Sequence, residues 1–99
     1  MMEEVTLKLN KEGEGAFYIK DGAAMIGEMV IQIQGSHLTV YHTEVAAEAE
    51  GRGLAKKMLT AMVDYARDHQ LQVVPLCPYV HAQFRRHEEE YKDVWKKEG

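Results

Sequence analysis

Through the first half of the chain the apolar positions recur with a period of two, the signature of strands buried on one face. Val5, Leu7 and Leu9 alternate with Thr6 and Lys8. A turn-rich stretch from Asn10 to Gly15 leads into a second strand, Ala16 to Lys20. Asp21-Gly22 then supplies a hairpin dipeptide, since glycine accepts the positive φ such turns need. Met25, Gly27, Met29, Ile31 and Ile33 predict a long third strand with these side chains on one face, ending at Gly35-Ser36. His37 to Val45 predicts a fourth. Strict alternation would put Leu38, Val40 and His42 on one of its faces and Tyr41, Thr43 and Val45 on the other.

The period then changes. Leu54, Ala55, Met58, Leu59, Met62, Val63 and Ala66 fall at helical spacing and form one apolar stripe, with Lys56, Lys57, Thr60, Asp64, Arg67 and Asp68 on the opposite face. Gln72 to Leu76 reads as a short apolar strand, where Pro75 indicates an edge position or a splayed end. Val80 and Phe84 predict a short helix from Pro78, and Tyr91, Val94 and Trp95 a second one returning its aromatics to the body. The run His87 to Glu90 reads as a solvated face or a helix start. Four strands, a helix, a strand and C-terminal helical turns make an α+β (mixed α/β) pattern: an antiparallel meander with the long helix laid on one sheet face.

Length and composition narrow the class. Ninety-nine residues make one domain spanning 1–99, since a domain typically runs to roughly 100–150 residues. Apolar residues at 45% and charged residues at 28% are a globular balance. No apolar run approaches the ~18–20 residues of a membrane span, and the opening MMEEVTLKLN lacks the basic and apolar regions of a signal peptide. A single cysteine builds neither a disulfide framework nor a zinc site, and His37 and His42 have no third ligand at metal spacing. The expectation is a reduced, cytoplasmic chain with no metal and no membrane partner. Sixteen acidic against twelve basic residues give a net charge of −4, which disfavours nucleic acid as a partner. Met25, Met29 and Ile31 would be the surface for a weak homodimer if their face were uncovered. Otherwise a monomer is expected.

The chemistry-bearing residues cluster in three places. Gly51-Arg52-Gly53 lies between the fourth strand and the long helix, where amides at the positive end of a helix dipole can seat a phosphate. Arg52, Lys56 and Lys57 add positive charge there. A plain turn is the alternative, and neither the P-loop nor the dinucleotide-binding pattern is present. Cys77 closes the fifth strand. A thiolate there could be a nucleophile, with His42 as proton acceptor, or the thiol could be a small buried hydrophobe. His42 suits a general base but equally a packed strand histidine, and Glu44 is an alternative base on the same face.

Three segments taken together, His42-Thr43-Glu44-Val45, then Glu50-Gly51-Arg52-Gly53-Leu54-Ala55-Lys56-Lys57, then Pro75-Leu76-Cys77-Pro78-Tyr79-Val80, resemble the GNAT superfamily of acetyl-CoA-dependent N-acetyltransferases. The likeness is to its minimal branch of roughly 100 residues and runs from about Phe17 to Trp95. It implies a truncated GNAT-like fold with acetyl-CoA as co-substrate and an amine of unidentified structure as acceptor. It further implies a pyrophosphate loop made by the amides of Gly51, Arg52, Gly53, Leu54 and Ala55, with Lys56 beside it. The fourth and fifth strands would splay to admit the pantetheine arm along Thr43 to Val45. Pro78 and Tyr79 would border the cofactor, with Tyr79 either protonating the departing thiolate or serving as a core or rim tyrosine. In this branch the residue matching Cys77 lies near the thioester and has been proposed as an acetyl acceptor. The loop's first position, usually Gln or Arg in the superfamily, is Glu48 here. The chain has no room for the N-terminal helices and final strands that help build the acceptor site in longer members.

Two functions follow from that resemblance. One is an N-acetyltransferase working by direct attack of the amine or through Cys77. The other is an acyl-CoA or CoA-binding module with little turnover.

Overall fold

The computed structural model describes residues 4–97. Strands β1 (Val5–Leu9), β2 (Glu14–Asp21), β3 (Ala24–Gln34) and β4 (His37–Val45) form the meander, and a 3₁₀ turn at Ala47–Ala49 leads to helix α1 (Leu54–Asp68). Strand β5 (Gln72–Pro75), helix α2 (Pro78–Arg86) and helix α3 (Glu88–Tyr91) complete the order. The strands make one sheet in the order β1-β2-β3-β4-β5. All neighbours are antiparallel except β4 and β5, which run parallel and so need the crossover that α1 provides.

The period-3.6 stripe is what anchors α1. Leu54, Met58, Leu59, Met62, Val63 and Ala66 are all buried. They meet the sheet face that carries Phe17, Ile19, Met29, Ile31, Leu38 and Val40, all buried in the same core. Burying each large apolar side chain contributes about 1.5–3 kcal/mol, so this contact is the main support of the fold. Val80, Phe84, Tyr91 and Val94 extend the core beyond β5. Arg67 of α1 donates from Nε to Asp93 Oδ2 at 2.9 Å and from Nη2 to the Glu90 carbonyl at 2.8 Å, fastening the C-terminal turns to the long helix. On the other face Tyr18, Glu28, Val30 and Gln32 are half-buried and His42 and Glu44 exposed.

Two bulges correct the alternation expected from the sequence. Ile19 pairs with Gly27 but Lys20 with Met25, so Ile26 is an extra residue in β3. A bulge reverses the faces of the residues beyond it. Ile26 therefore enters the core, and Met25, expected inside with Met29, is turned out at 47% exposure. In β4, Val30 pairs with His42 and Ile31 with Val40, leaving Tyr41 as the extra residue. Thr43 and Val45 therefore share the helix-covered face with Leu38 and Val40. His42 moves to the open face with Tyr41, whose hydroxyl donates to Gln32 Oε1 at 2.9 Å.

Two smaller differences concern packing. Met29 and Ile31 are fully buried under α1, so they offer no surface on which two chains could meet. The last helix ends at Tyr91. Beyond it Val94 and Trp95 pass along the outer side of β5, where the Val73 amide donates to the Val94 carbonyl and the Lys96 amide to the Val73 carbonyl.

Candidate active site

The site is organised by the point at which β4 and β5 part. Their ladder runs from His37 with Gln72 to Val40 with Pro75 and stops there. Proline brings no amide, and the Leu76 amide turns back to the Val74 carbonyl, so β5 cannot continue. One further bond, from the Cys77 amide to the Val40 carbonyl at 2.9 Å, closes the apex. β4 runs on to Val45 with β3 alone beside it. The Ala46 amide donates to the Ile26 carbonyl of β3, and backbone groups alternate along a strand. His42 and Glu44 therefore direct their amides and carbonyls to β3, and Thr43 and Val45 direct theirs into the gap.

At the mouth of the gap lies the start of α1. Gly51 has φ 88° and Gly53 φ 73°, left-handed values that cost other residues about 1–2 kcal/mol, so the turn needs both glycines. Gly53 caps the helix without a side-chain bond, and no acidic residue stands in the first turn. The Lys57 amide makes the first bond, to the Gly53 carbonyl. The amides of Leu54, Ala55 and Lys56 are left without an intrahelical acceptor at the positive end of the dipole. Arg52 Nη2 stands 3.9 Å from Asp21 Oδ2 in the β2–β3 hairpin, bringing that hairpin beside the loop. Glu48 is exposed in the preceding turn. Amides along a strand edge and at an uncapped helix start suit an extended amide-bearing arm that ends in a pyrophosphate.

The reactive side chains fall into two groups on opposite faces of β4. On the open face, His42 Nε2 lies 3.2 Å from Glu44 Oε2, and both side chains are more than half exposed. On the helix-covered face, Cys77 is buried and its thiol donates to Thr43 Oγ1 at 3.3 Å. The structure thus joins His42 to Glu44 and Cys77 to Thr43 but does not bring His42 to Cys77, because the Tyr41 bulge puts the strand between them. Pro78 opens α2 at its first turn, immediately after Cys77. Tyr79 is half-buried beside Cys77. Burial, and then the neighbouring Cys77, push its phenol above the usual value of 10.0, so it stays protonated and can donate.

Sequence reasoning passed over two residues. Glu28 faces Glu44 directly across the β3–β4 ladder, and both line an open depression of about 320 Å³ with Met25, Ile26, Gly27, Val45 and Ala46. The signal was the break between Gly27 and Met29, where a charged residue interrupts an apolar strand. Asp21 was read only as a turn residue. Among the described residues no group of three or more His, Cys, Asp or Glu is placed to hold a metal ion. Among the described residues no helix is long and apolar enough to cross a membrane.

This geometry agrees with known proteins. The family model described as GCN5-related N-acetyl-transferase matches residues 16–94. A GCN5-like protein of Staphylococcus aureus has a similar solution structure, with TM-score 0.69 and 26% identity over 95% of this chain and 90% of that one. The ribosomal-protein-alanine N-acetyltransferase of Brucella melitensis biovar Abortus superposes with TM-score 0.63 at 17% identity, covering 90% of this chain and 66% of that one. The ribosomal-protein-S18-alanine N-acetyltransferase of Escherichia coli gives TM-score 0.60 at 15% identity over 67% of this chain, which spans only 43% of its length. These last two show the shared fold alone. Because the family match takes in the splayed strands, the glycine loop and the long helix together, the chain belongs to the GCN5-related N-acetyltransferase family.

Proposed function

We infer that the chain, as a single acetyl-CoA-binding domain, transfers the acetyl group of acetyl-CoA to a primary amine by direct attack. The observation that carries this is the gap between β4 and β5, with the amides of Thr43 and Val45 turned into it and the glycine loop at its mouth. The loop from Gly51 to Lys56 would hold the pyrophosphate, and Thr43 and Val45 the pantetheine amides, with Pro78 and Tyr79 on the far wall. A lone free thiol suits the reducing cytoplasm.

An amine at neutral pH arrives as an ammonium ion and must lose a proton to become a nucleophile. The His42–Glu44 pair is exposed to a solvent-borne acceptor and can take that proton directly or through water. Glu28 and Glu44, facing each other across the strands, attract a cation to the same depression. As nitrogen bonds to the carbonyl carbon the carbon–sulfur bond breaks, and the protonated Tyr79 phenol would supply the proton that the departing thiolate takes up. Cys77 is engaged by Thr43 on the other face, which favours direct attack over a covalent relay.

The test is steady-state release of free thiol from acetyl-CoA with a panel of primary amines, for the natural chain and for Cys77→Ala. Direct transfer predicts turnover that Cys77→Ala preserves. Loss of turnover in Cys77→Ala with retained acetyl-CoA binding would establish the covalent route instead. Tight binding of acetyl-CoA with no turnover on any amine would make the chain a binding module.

A further inference from the structure

The two edges of the sheet are finished differently. β5 has four residues, carries Pro75, and has its outer side engaged by Val94 to Lys96. These are the usual ways an edge strand is kept from pairing. Among the described residues β1 has no covering segment on its outer side, no proline and no bulge, and it keeps an unbroken register from Val5 to Leu9 against β2. The Asn10 amide donates to the Glu14 carbonyl across the β1–β2 turn. By alternation Thr6 and Lys8 direct their backbone groups to β2, and Val5, Leu7 and Leu9 direct theirs away from the sheet. Their side chains are only half-buried against the core.

We propose that β1 pairs antiparallel with β1 of a second copy of this chain, about a two-fold axis at Thr6, joining the two sheets into one. The outward residues must meet each other, which limits the register to alternate steps. Centred on Thr6, Val5 exchanges both backbone hydrogen bonds with Leu7 of the second copy, and Leu7 with Val5 of the second copy. The exposed side chains then fall into opposite-charge pairs: Glu4 faces Lys8 of the second copy, and Lys8 faces Glu4 of the second copy. Moving the centre to Val5 leaves Glu4 opposite Thr6 of the second copy, and moving it to Leu7 leaves Glu4 opposite Asn10 of the second copy. Only the Thr6 register matches charge on both sides.

The helix beside the edge has the same self-complementarity. Lys56, Thr60 and Asp64 line a depression of about 370 Å³ next to Val5, so antiparallel copies of α1 can set Lys56 against Asp64 about Thr60. β4 and the gap lie at the far side of the sheet from β1, and both sites stay open.

The experiment is sedimentation velocity on the full chain from micromolar to millimolar concentration, for the natural sequence, Glu4→Lys, Lys8→Glu and the double variant. The natural chain is expected to reach twice the 11.3 kDa of one copy. Each single reversal sets like charges opposite at two places and should raise the dissociation constant about tenfold or more, and the double variant should restore it. Lys8→Glu makes the chain more acidic and Glu4→Lys less so, so an effect of net charge would move the two in opposite directions. Val5→Pro removes an outward amide at the first position of an edge strand, where proline is tolerated, and should also give a monomer. A natural chain that stays at 11.3 kDa throughout overturns the proposal. So does a dimer that the reversals leave unchanged or that the double variant fails to recover.

Discussion

β4 is one strand with two fates. From His37 to Val40 it is laddered on both sides, its Leu38 and Val40 fully buried under α1. From Tyr41 to Val45 it keeps β3 but has lost β5, and its side chains are exposed or half-buried. Two local devices separate the halves: a proline that ends the neighbouring strand, and one inserted residue that exchanges the faces. The paired half holds the fold together, and the released half carries the candidate site: the Thr43 and Val45 amides and the His42–Glu44 pair. Backbone amides left unpaired would be a liability in the core, but at a solvent-open gap they are available to a ligand.

The sharpest way to break this division is in the released half. Replacing His42 with Ala and Glu44 with Gln together should lower the acetyl-transfer rate by about 10²–10⁴-fold, the usual contribution of a positioned base, with the thermal midpoint nearly unchanged. Steady-state kinetics beside a melting curve checks both parts. A reduction confined to the midpoint would assign these residues to the fold instead.

Leu38→Ala should act in the opposite way. Deleting a fully buried side chain of β4 from the core should cost about 2–5 kcal/mol in denaturant unfolding, while the surviving folded fraction binds acetyl-CoA as before. Gly53→Val sits between these extremes. Its φ of 73° is strained for a β-branched residue, at about 1–2 kcal/mol, and relieving the strain would displace the helix start. Calorimetry should show acetyl-CoA affinity falling by about tenfold or more.

The smallest effect lies outside both halves. The Arg67 hydrogen bond holds the Asp93 carboxyl below its ordinary value of 3.8. Because the folded state lowers this value, the stability from the pair is complete above the ordinary carboxylate range. It is lost as the pH falls through the folded-state value. Both partners are more than a third exposed, so the loss should be about 1 kcal/mol or less. Asp93→Asn should remove that component from the acid limb of a stability–pH curve.

Much of this was legible in the sequence, for identifiable reasons. The α1 stripe is long and periodic, and its six buried positions were all among those expected. The order of elements along the chain, Pro75 at an edge position or a splayed end, and the placing of Gly51 and Gly53 before the helix also followed from local chemistry. The pairing of the fifth strand with the fourth came only from the family resemblance. The bulges did not, because an inserted residue carries no signature of its own: Tyr41 and Ile26 look like ordinary strand residues. One consequence was Met25 expected inside. The larger one was His42 assigned to the face of Leu38 and within reach of Cys77, when the bulge places it with Glu44 on the open side. The contact between Cys77 and Thr43 joins residues far apart in sequence and arises only once β5 stops at Pro75.

The proposed transfer requires acetyl-CoA to lie in the gap where β5 leaves β4. Titrating the isotopically labelled chain with acetyl-CoA and following its amide resonances tests it most directly. Binding in the gap should give the largest shifts at Thr43, Val45 and Gly51 to Lys56, with those of Leu38 and Val40 small. Shifts absent at millimolar acetyl-CoA, or confined to residues away from the gap and the glycine loop, would contradict it.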